Sequence, residues 1–179
     1  MNNSRSSTVT KITCLLTFAC VCVLTGCTPG EQTGVKGPLP PEVFQVRAVE
    51  AAPTERTEQM FFGAVTPAEV LHVNKQVLLD GSSVMHVTAK MDTVNNRPAV
   101  LVRLTDNGKT IFAQVTREHI DKRLAIIVRG DILLAPVVSA EICDGIIQIT
   151  VCDGIIHITG GMQTMKEAQR LVGFLTDRL

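Results

Sequence analysis

Apolar residues alternate with polar ones, or form short runs, in six segments of the middle of the chain. This pattern is typical of β-strands, whose successive side chains point to opposite faces of a sheet. The turn residues 95–98 and Arg129-Gly130 each separate two of these segments, which predicts two hairpins. Residues 51–68, interrupted by Pro53 and Pro67, are predicted to be a loop with at most a short ordered piece. The predicted strands are Val43–Val49, Val70–Leu79, Val84–Met91, Ala99–Leu104, Leu124–Val128 and Ile132–Val138.

Two further segments carry helical periodicity. Asp106 to Glu118 places its apolar residues on one helical face, and Met165 to Asp177 does the same near the C-terminus. Thr164 lies just before the second segment and Glu167 lies in its first turn, with the T-x-x-E spacing of a capping box. Strand pairs combined with two helices predict an α+β fold, a mostly antiparallel sheet with two helices packed on one face.

The N-terminus has the organisation of an export signal. Arg5 and Lys11 precede the apolar run Ile12 to Leu24, which is shorter than the roughly 20 apolar residues of a membrane-spanning helix. Leu24-Thr25-Gly26-Cys27 follows, and an aliphatic residue, two small residues and a cysteine are what a lipoprotein signal peptidase accepts. An ordinary signal peptide or a membrane anchor is the less specific alternative. We therefore expect residues 1–26 to be a lipoprotein signal peptide and Cys27 to carry the lipid.

The residues after Cys27 indicate a tether and a location. Residues 28–41 are rich in Gly, Pro and Thr without apolar periodicity, so residues 27–42 are predicted to be the lipidated cysteine and a flexible tether. Residues 43–179 then form the folded domain. The lipid anchor predicts a protein of the cell envelope that faces the periplasm. Thr28, rather than Asp, favours the outer membrane in an organism that has one.

Composition argues against several functional classes. The formal net charge is zero and the chain contains no Trp or Tyr, so stacking on nucleic acid is disfavoured and no nucleic-acid partner is expected. No nucleophile elbow or phosphate-binding loop occurs, and the four histidines are scattered along the chain. We expect no enzyme activity, no catalytic residue, no cofactor and no metal.

A nine-residue segment occurs twice in tandem. Cys143 to Val151 reads CDGIIQITV, and Cys152 to Gly160 reads CDGIIHITG. Either both copies form strands, which extends the second hairpin into a meander, or one copy is a loop and the other a strand; we favour the second arrangement. The meander would hold Cys143 and Cys152 at opposite ends of a strand, whereas the loop arrangement permits a disulfide between them. We favour two unpaired thiols over this disulfide, and nine-residue spacing fits zinc poorly.

Several segments, taken in order, resemble the head part of the first periplasmic domain of SecD. No single segment is diagnostic, but their order and spacing cover nearly everything from Val43 to Leu179. The segments are Phe44–Arg47, Val77–Ser82, Arg97–Val100, Gly108, Phe112-Ala113, Thr116–Glu118, Lys122–Val128, Gly130, Ala135–Val137, Ile158–Gly161 and Glu167–Leu171.

The resemblance implies a role in protein export. SecD acts with SecF in a membrane complex that uses the proton gradient to help move exported proteins, and its head is thought to contact the emerging chain. The membrane helices of SecD have no counterpart in this sequence. The resemblance therefore implies a non-enzymatic, membrane-anchored module that binds exported polypeptides or components of the Sec translocon. The alternative is a structural envelope lipoprotein that kept the fold without an export role.

Overall fold

A computed structural model describes residues 34–63, 68–94, 96–150 and 164–176 of the chain. These residues contain nine strands and two α-helices. The strands are β1 (Gly34–Lys36), β2 (Phe44–Glu50), β3 (Thr57–Phe62), β4 (Glu69–Asp80), β5 (Val84–Asp92), β6 (Arg97–Leu104), β7 (Leu124–Val128), β8 (Asp131–Leu134) and β9 (Ile146–Thr150). The helices are α1 (Asp106–Glu118) and α2 (Met165–Thr176).

The strands form two antiparallel sheets. Sheet A has the order β1-β5-β6-β9, and sheet B has the order β3-β4-β2-β7-β8. Strand β4 of sheet B is followed by one turn of 3-10 helix, Gly81–Ser83, and then by β5 of sheet A. The chain crosses from one sheet to the other at this turn. The fold class is α+β, as predicted, although the strands divide between two sheets.

One core joins both sheets to both helices. Phe44 and Val46 of β2, Leu171 and Leu175 of α2, and Phe112 of α1 are among its buried side chains. Helix α2 packs on β5 and β6, while α1 contacts β4 and β6. Burying apolar side chains stabilises a fold by roughly 25 cal/mol per Å² removed from water, so this shared core is the main force that holds the two sheets together.

Sheet B also has a second, smaller core on its other face. Leu71, Val73, Ala125, Ile127 and Ile132 are buried there, because the sheet curls until its edge strands β3 and β8 approach each other. Strand β7 is consequently buried at every position. A strand covered on both faces is apolar throughout, which explains the unbroken run Leu124–Val128.

Both helices begin as their sequences indicate. In α1, Thr105 is the N-cap, and its Oγ1 accepts a hydrogen bond from the Gly108 backbone N–H at 3.1 Å. Before α2, the Thr164 N–H donates to Glu167 Oε2 at 2.8 Å, and the Glu167 N–H donates to Thr164 Oγ1 at 3.4 Å. The predicted capping box is therefore present.

The structure departs from the sequence prediction in three segments. Residues 51–68, predicted to be a loop with at most a short ordered piece, contain the strand β3 at Thr57–Phe62. The second strand of the second hairpin ends at Leu134, four residues earlier than predicted. Order also begins before Val43, because Gly34–Lys36 pairs with β5 and Leu39 lies in the core.

The first copy of the tandem repeat supplies β9, which pairs with β6 in sheet A. A meander running on from the second hairpin is therefore wrong, since β8 belongs to sheet B. The second copy, residues 152–160, lies outside the described residues, so its conformation stays a prediction.

Candidate functional site

An apolar groove of about 440 Å³ lies between α1 and the segment that leads from β8 to β9. Its floor comes from β2 and β7, with Val46, Leu124 and Ile126. One wall is α1, and the other is residues 134–142. Val137, on this second wall, leaves 60% of its surface exposed. None of the described residues in its lining is charged, so the groove offers a ligand mainly apolar contact area.

Thr116 of α1 fixes the outer wall at its C-terminal end. Its side chain is fully buried, and its Oγ1 accepts a hydrogen bond from the Ile142 backbone N–H at 3.0 Å. The same hydroxyl donates to the Phe112 carbonyl oxygen at 2.8 Å. Ile142 is half-buried, and an N–H partly shielded from water is stabilised by an acceptor, so Thr116 helps to fix where the wall returns to the helix.

A salt bridge closes the same end of the groove from outside. Arg117 Nε and Nη2 donate to the two carboxylate oxygens of Glu141 at 2.9 and 2.6 Å. Cys143 Sγ donates to Glu141 Oε1 at 3.3 Å. The hydrogen bonds from Arg117 and then from Cys143 hold the pKa of Glu141 below its usual value. The hydrogen bond to Glu141, and to a lesser extent desolvation, raise the pKa of the exposed Cys143 thiol, which makes this cysteine a weak nucleophile.

Backbone hydrogen bonds hold the other end of the wall. The Leu124 N–H donates to the Pro136 carbonyl oxygen at 3.0 Å, and the Val138 N–H donates to the Lys122 carbonyl oxygen at 2.9 Å. Arg123 adds a hydrogen bond from its Nε to the Ala135 carbonyl oxygen at 2.9 Å. Because both ends are fixed, the groove exists before any ligand arrives, which lowers the entropic cost of binding.

A larger cavity of about 730 Å³ opens beside the second core, between β3 and the end of β7. Its lining includes the ion pair Arg47–Glu58, with Nη1 and Oε1 2.7 Å apart. Arg47 is buried and also donates from Nε to the Asn74 carbonyl oxygen at 2.7 Å. These bonds join β2, β3 and β4, so they stabilise the curl of sheet B. We therefore assign this cavity a structural origin.

The residues singled out from the sequence do not converge on one site. Cys143 lies exposed beside the groove wall, just before β9. Cys27 and Cys152 lie outside the described residues, so the lipid site and the disulfide stay predictions. Within the described part of the chain, no three His, Cys, Asp or Glu side chains are grouped to hold a metal ion. No helix among those residues combines the length and hydropathy needed to cross a membrane.

Sequence reasoning missed the groove itself. The prediction that Ala135–Val138 ends a strand is wrong, and Pro136, Val137 and Val138 lie in the outer wall of the groove. Pro136 was the available signal, because proline supplies no N–H to a strand ladder and is found at strand ends and edges.

Comparison with known proteins gives a consistent result for the folded part. The family model for the SecDF P1 head subdomain matches residues 57–177. The protein translocase subunit SecD of Calditerrivibrio nitroreducens is 27% identical over 99 residues, which cover 55% of this chain and 17% of that protein. The SecD subunit of Magnetococcus marinus is 38% identical over 77 residues, covering 42% of this chain and 14% of that protein. The chain thus matches only a small part of these relatives.

Two solved structures share the fold. A crystal structure of SecDF in a super-membrane-facing form superposes with a TM-score of 0.55 at 22% identity and covers 75% of this chain and 19% of that one. A second SecDF structure, described as a membrane component that enhances protein export, superposes with a TM-score of 0.53 at 24% identity. The superposition covers 78% of this chain and 63% of that one. At these identities the likeness establishes the fold of the domain.

Proposed function

Since this chain belongs to the SecDF P1 head subdomain family, we propose that it is a lipid-anchored module that binds exported polypeptides and assists protein export without enzyme activity. The relatives are protein translocase subunits, and one related structure is described as enhancing protein export. The proposal carries this role to a chain that covers only the head portion of those proteins.

The apolar groove is the observation that carries the binding role. A polypeptide in transit is unfolded and exposes the apolar side chains that a folded protein buries, so a fixed apolar groove is complementary to it. No described residue of the lining carries a charge that would select one sequence, and the exposed Val137 extends the apolar surface outward. Weak, sequence-tolerant binding of short apolar segments is what such a surface favours.

The anchor rests on the residues around Cys27. The order of positive residues, short apolar run and Leu24-Thr25-Gly26-Cys27 supports cleavage before Cys27 and attachment of lipid to its thiol. Two or more acyl chains hold a protein stably on a bilayer, whereas one does not. In an organism with two membranes, the proposal places the head in the periplasm, anchored to the outer membrane. In an organism with a single membrane, the head would be anchored to that membrane.

Site-specific photocrosslinking in living cells tests the proposal. A photoreactive residue replaces Val137 in the groove wall, and in the control chain it replaces Val77, an exposed residue of β4 away from the groove. A secreted reporter is expressed, and its export is either allowed or arrested midway. We expect the Val137 position to capture the arrested reporter more strongly than the completed one, and the Val77 position to capture neither.

The remaining outcomes separate the alternatives. Equal capture at both positions would show that the groove is not the binding surface. Capture of wall or outer-membrane proteins alone would favour the structural envelope lipoprotein without an export role. Mass spectrometry of the purified protein tests the anchor independently, since a lipidated Cys27 adds the mass of its acyl chains.

A further inference from the structure

The outer face of sheet A, opposite α2, carries an excess of positive charge. Strand alternation and the register of β1, β5 and β6 place Lys36, Lys90, Arg97 and Arg103 on this one face. All four side chains are exposed, and among the described residues none of them forms an ion pair. The cations of this face are therefore available to an external anion.

The acid on this face is already engaged. Asp92 is 8% exposed, its Oδ1 accepts a hydrogen bond from the Val94 N–H at 2.9 Å, and its Oδ2 accepts one from Gln148 Nε2 at 3.1 Å. Between the cations lies a shallow depression of about 390 Å³, with Leu101 and Ile146 in its lining. The face thus combines a cationic rim with a partly apolar floor.

The hairpin between β5 and β6 adds an exposed apolar side chain at one end of this face. Val94 at its tip is 87% exposed. Lys90 and Arg97 flank this tip on β5 and β6. An apolar tip between two cations is the arrangement with which peripheral proteins enter the boundary between lipid headgroups and acyl chains.

The direction of β1 relates this end of the face to the proposed anchor. Gly34 lies opposite Thr88 and Lys36 opposite His86, so the chain enters sheet A from the end that carries Met91. From Cys27 to Gly34 the chain advances seven residues, which can span at most roughly 25 Å. A lipid at Cys27 would therefore keep the hairpin tip close to a bilayer.

We propose that the outer face of sheet A docks on an anionic phospholipid surface, with the cations Lys36, Lys90, Arg97 and Arg103 against the headgroups and Val94 at the acyl boundary. An acidic polypeptide would satisfy the cations, but it would give no role to the exposed hairpin tip. The proposal rests on the proposed anchor only for the direction from which the bilayer is met. The docked face lies on sheet A, so the groove beside α1 stays open to a polypeptide.

Fluorescence quenching in proteoliposomes tests the docking. The full chain, with Cys143→Ser and Cys152→Ser, receives Val94→Cys and an environment-sensitive fluorophore; the control label is placed at Gln76→Cys on β4. Vesicles contain phosphatidylcholine alone, or about three parts phosphatidylcholine to one part phosphatidylglycerol, with brominated acyl chains as quencher. We expect quenching at position 94 in the anionic vesicles alone, and none at position 76 in either.

Charge variants make the test specific. Each cation near an anionic surface contributes about fivefold to binding, so replacing all four by Gln should lower the ratio of docked to undocked protein at least tenfold. A matched variant removes four exposed cations elsewhere, Arg56, Lys122, Lys166 and Arg170, and should leave quenching unchanged.

Two results would overturn the docking. One is equal quenching at position 94 in both types of vesicle; the other is a response of the label to soluble polyglutamate and none to anionic vesicles, which would identify an acidic polypeptide as the partner. Absence of lipid on Cys27 in the same preparation would refute the anchor separately. The ratio of quenching in anionic vesicles to quenching in neutral vesicles would still show whether the outer face of sheet A docks.

Discussion

Replacing Thr116 by Val tests whether the groove wall is held as described. The two side chains have nearly the same shape, and their helix propensities are similar, so packing within α1 changes little. The substitution removes the acceptor of the Ile142 N–H at 3.0 Å; the Thr116 hydroxyl is buried, whereas Ile142 is half-buried. A hydrogen bond of this kind contributes about 0.5–1.5 kcal/mol, and we expect a loss of about 1 kcal/mol in the free energy of unfolding.

Thermal and urea unfolding of the lipidated protein in mild detergent measure this loss. For a domain of this size, a loss of about 1 kcal/mol lowers the melting temperature by roughly 2–4 °C. Thr110→Val is the matched control. Thr110 is exposed in the same helix and donates to the Asp106 carbonyl oxygen at 3.1 Å, so its replacement leaves no buried donor unpaired. We expect it to change the stability by less than about 0.5 kcal/mol.

The comparison of the two variants decides the interpretation. If Thr116→Val destabilises no more than Thr110→Val, the hydrogen bond to Ile142 does not fix the wall, and the reasoning is refuted. If the reasoning holds, crosslinking from position 137 should also fall in the Thr116→Val chain at temperatures below its melting transition, because a loosened wall no longer presents a preformed groove.

Three further predictions follow from the same structure. The pKa of Glu141 is depressed, so its salt bridge stabilises the fold fully above the ordinary pKa of a glutamate, and this stabilisation is lost as the pH falls through the lower folded pKa. The difference in melting temperature between wild type and Glu141→Gln should therefore shrink towards zero between pH 6 and pH 3. A difference that stays constant over this range would contradict the prediction. In a Cys152→Ser chain, Glu141→Gln should speed the alkylation of Cys143 near pH 8, because the carboxylate raises the pKa of this thiol, and an unchanged rate would argue against their hydrogen bond. Gly81→Ala should lower the free energy of unfolding by about 1–3 kcal/mol, because the new Cβ would clash with backbone of the segment before β2. Gly173→Ala in α2 is the contrast: its Cβ meets open space, and the change should raise the free energy of unfolding by up to about 1 kcal/mol.

Strong local patterns predicted most of the elements. Helix α1 begins and ends within the predicted bounds, and the capping box of Thr164 marks the start of α2 correctly. Strand β3 was not predictable in the same way. Its residues Glu58, Gln59 and Phe61 are exposed in an edge strand, so no apolar alternation distinguishes it from a loop. Its position depends on pairing with β4, a tertiary contact that a local pattern does not encode.

The groove and the basic face were beyond sequence reasoning for a related reason. Lys36 and Arg103 are 67 positions apart, and they share a face only because β1 and β6 both pair with β5. The groove similarly combines β2, α1, β7 and the segment before β9. Such sites arise from sheet order and register, whereas the resemblance to SecD predicted the fold class and the family without locating either surface.

The position of β2 has a consequence for the order of folding. It is the central strand of sheet B, yet one of its neighbours, β7, lies about 80 residues later, and the core of sheet A is completed by α2, the last described element. Long-range pairing of this kind makes folding slow. If the chain is exported N-terminus first, as the proposed anchor requires, sheet B cannot close until Leu134 has emerged, and the shared core cannot close until α2 has followed. The apolar strand Leu124–Val128 would then be exposed during transit, which is the same state as that of the polypeptides the protein is proposed to bind.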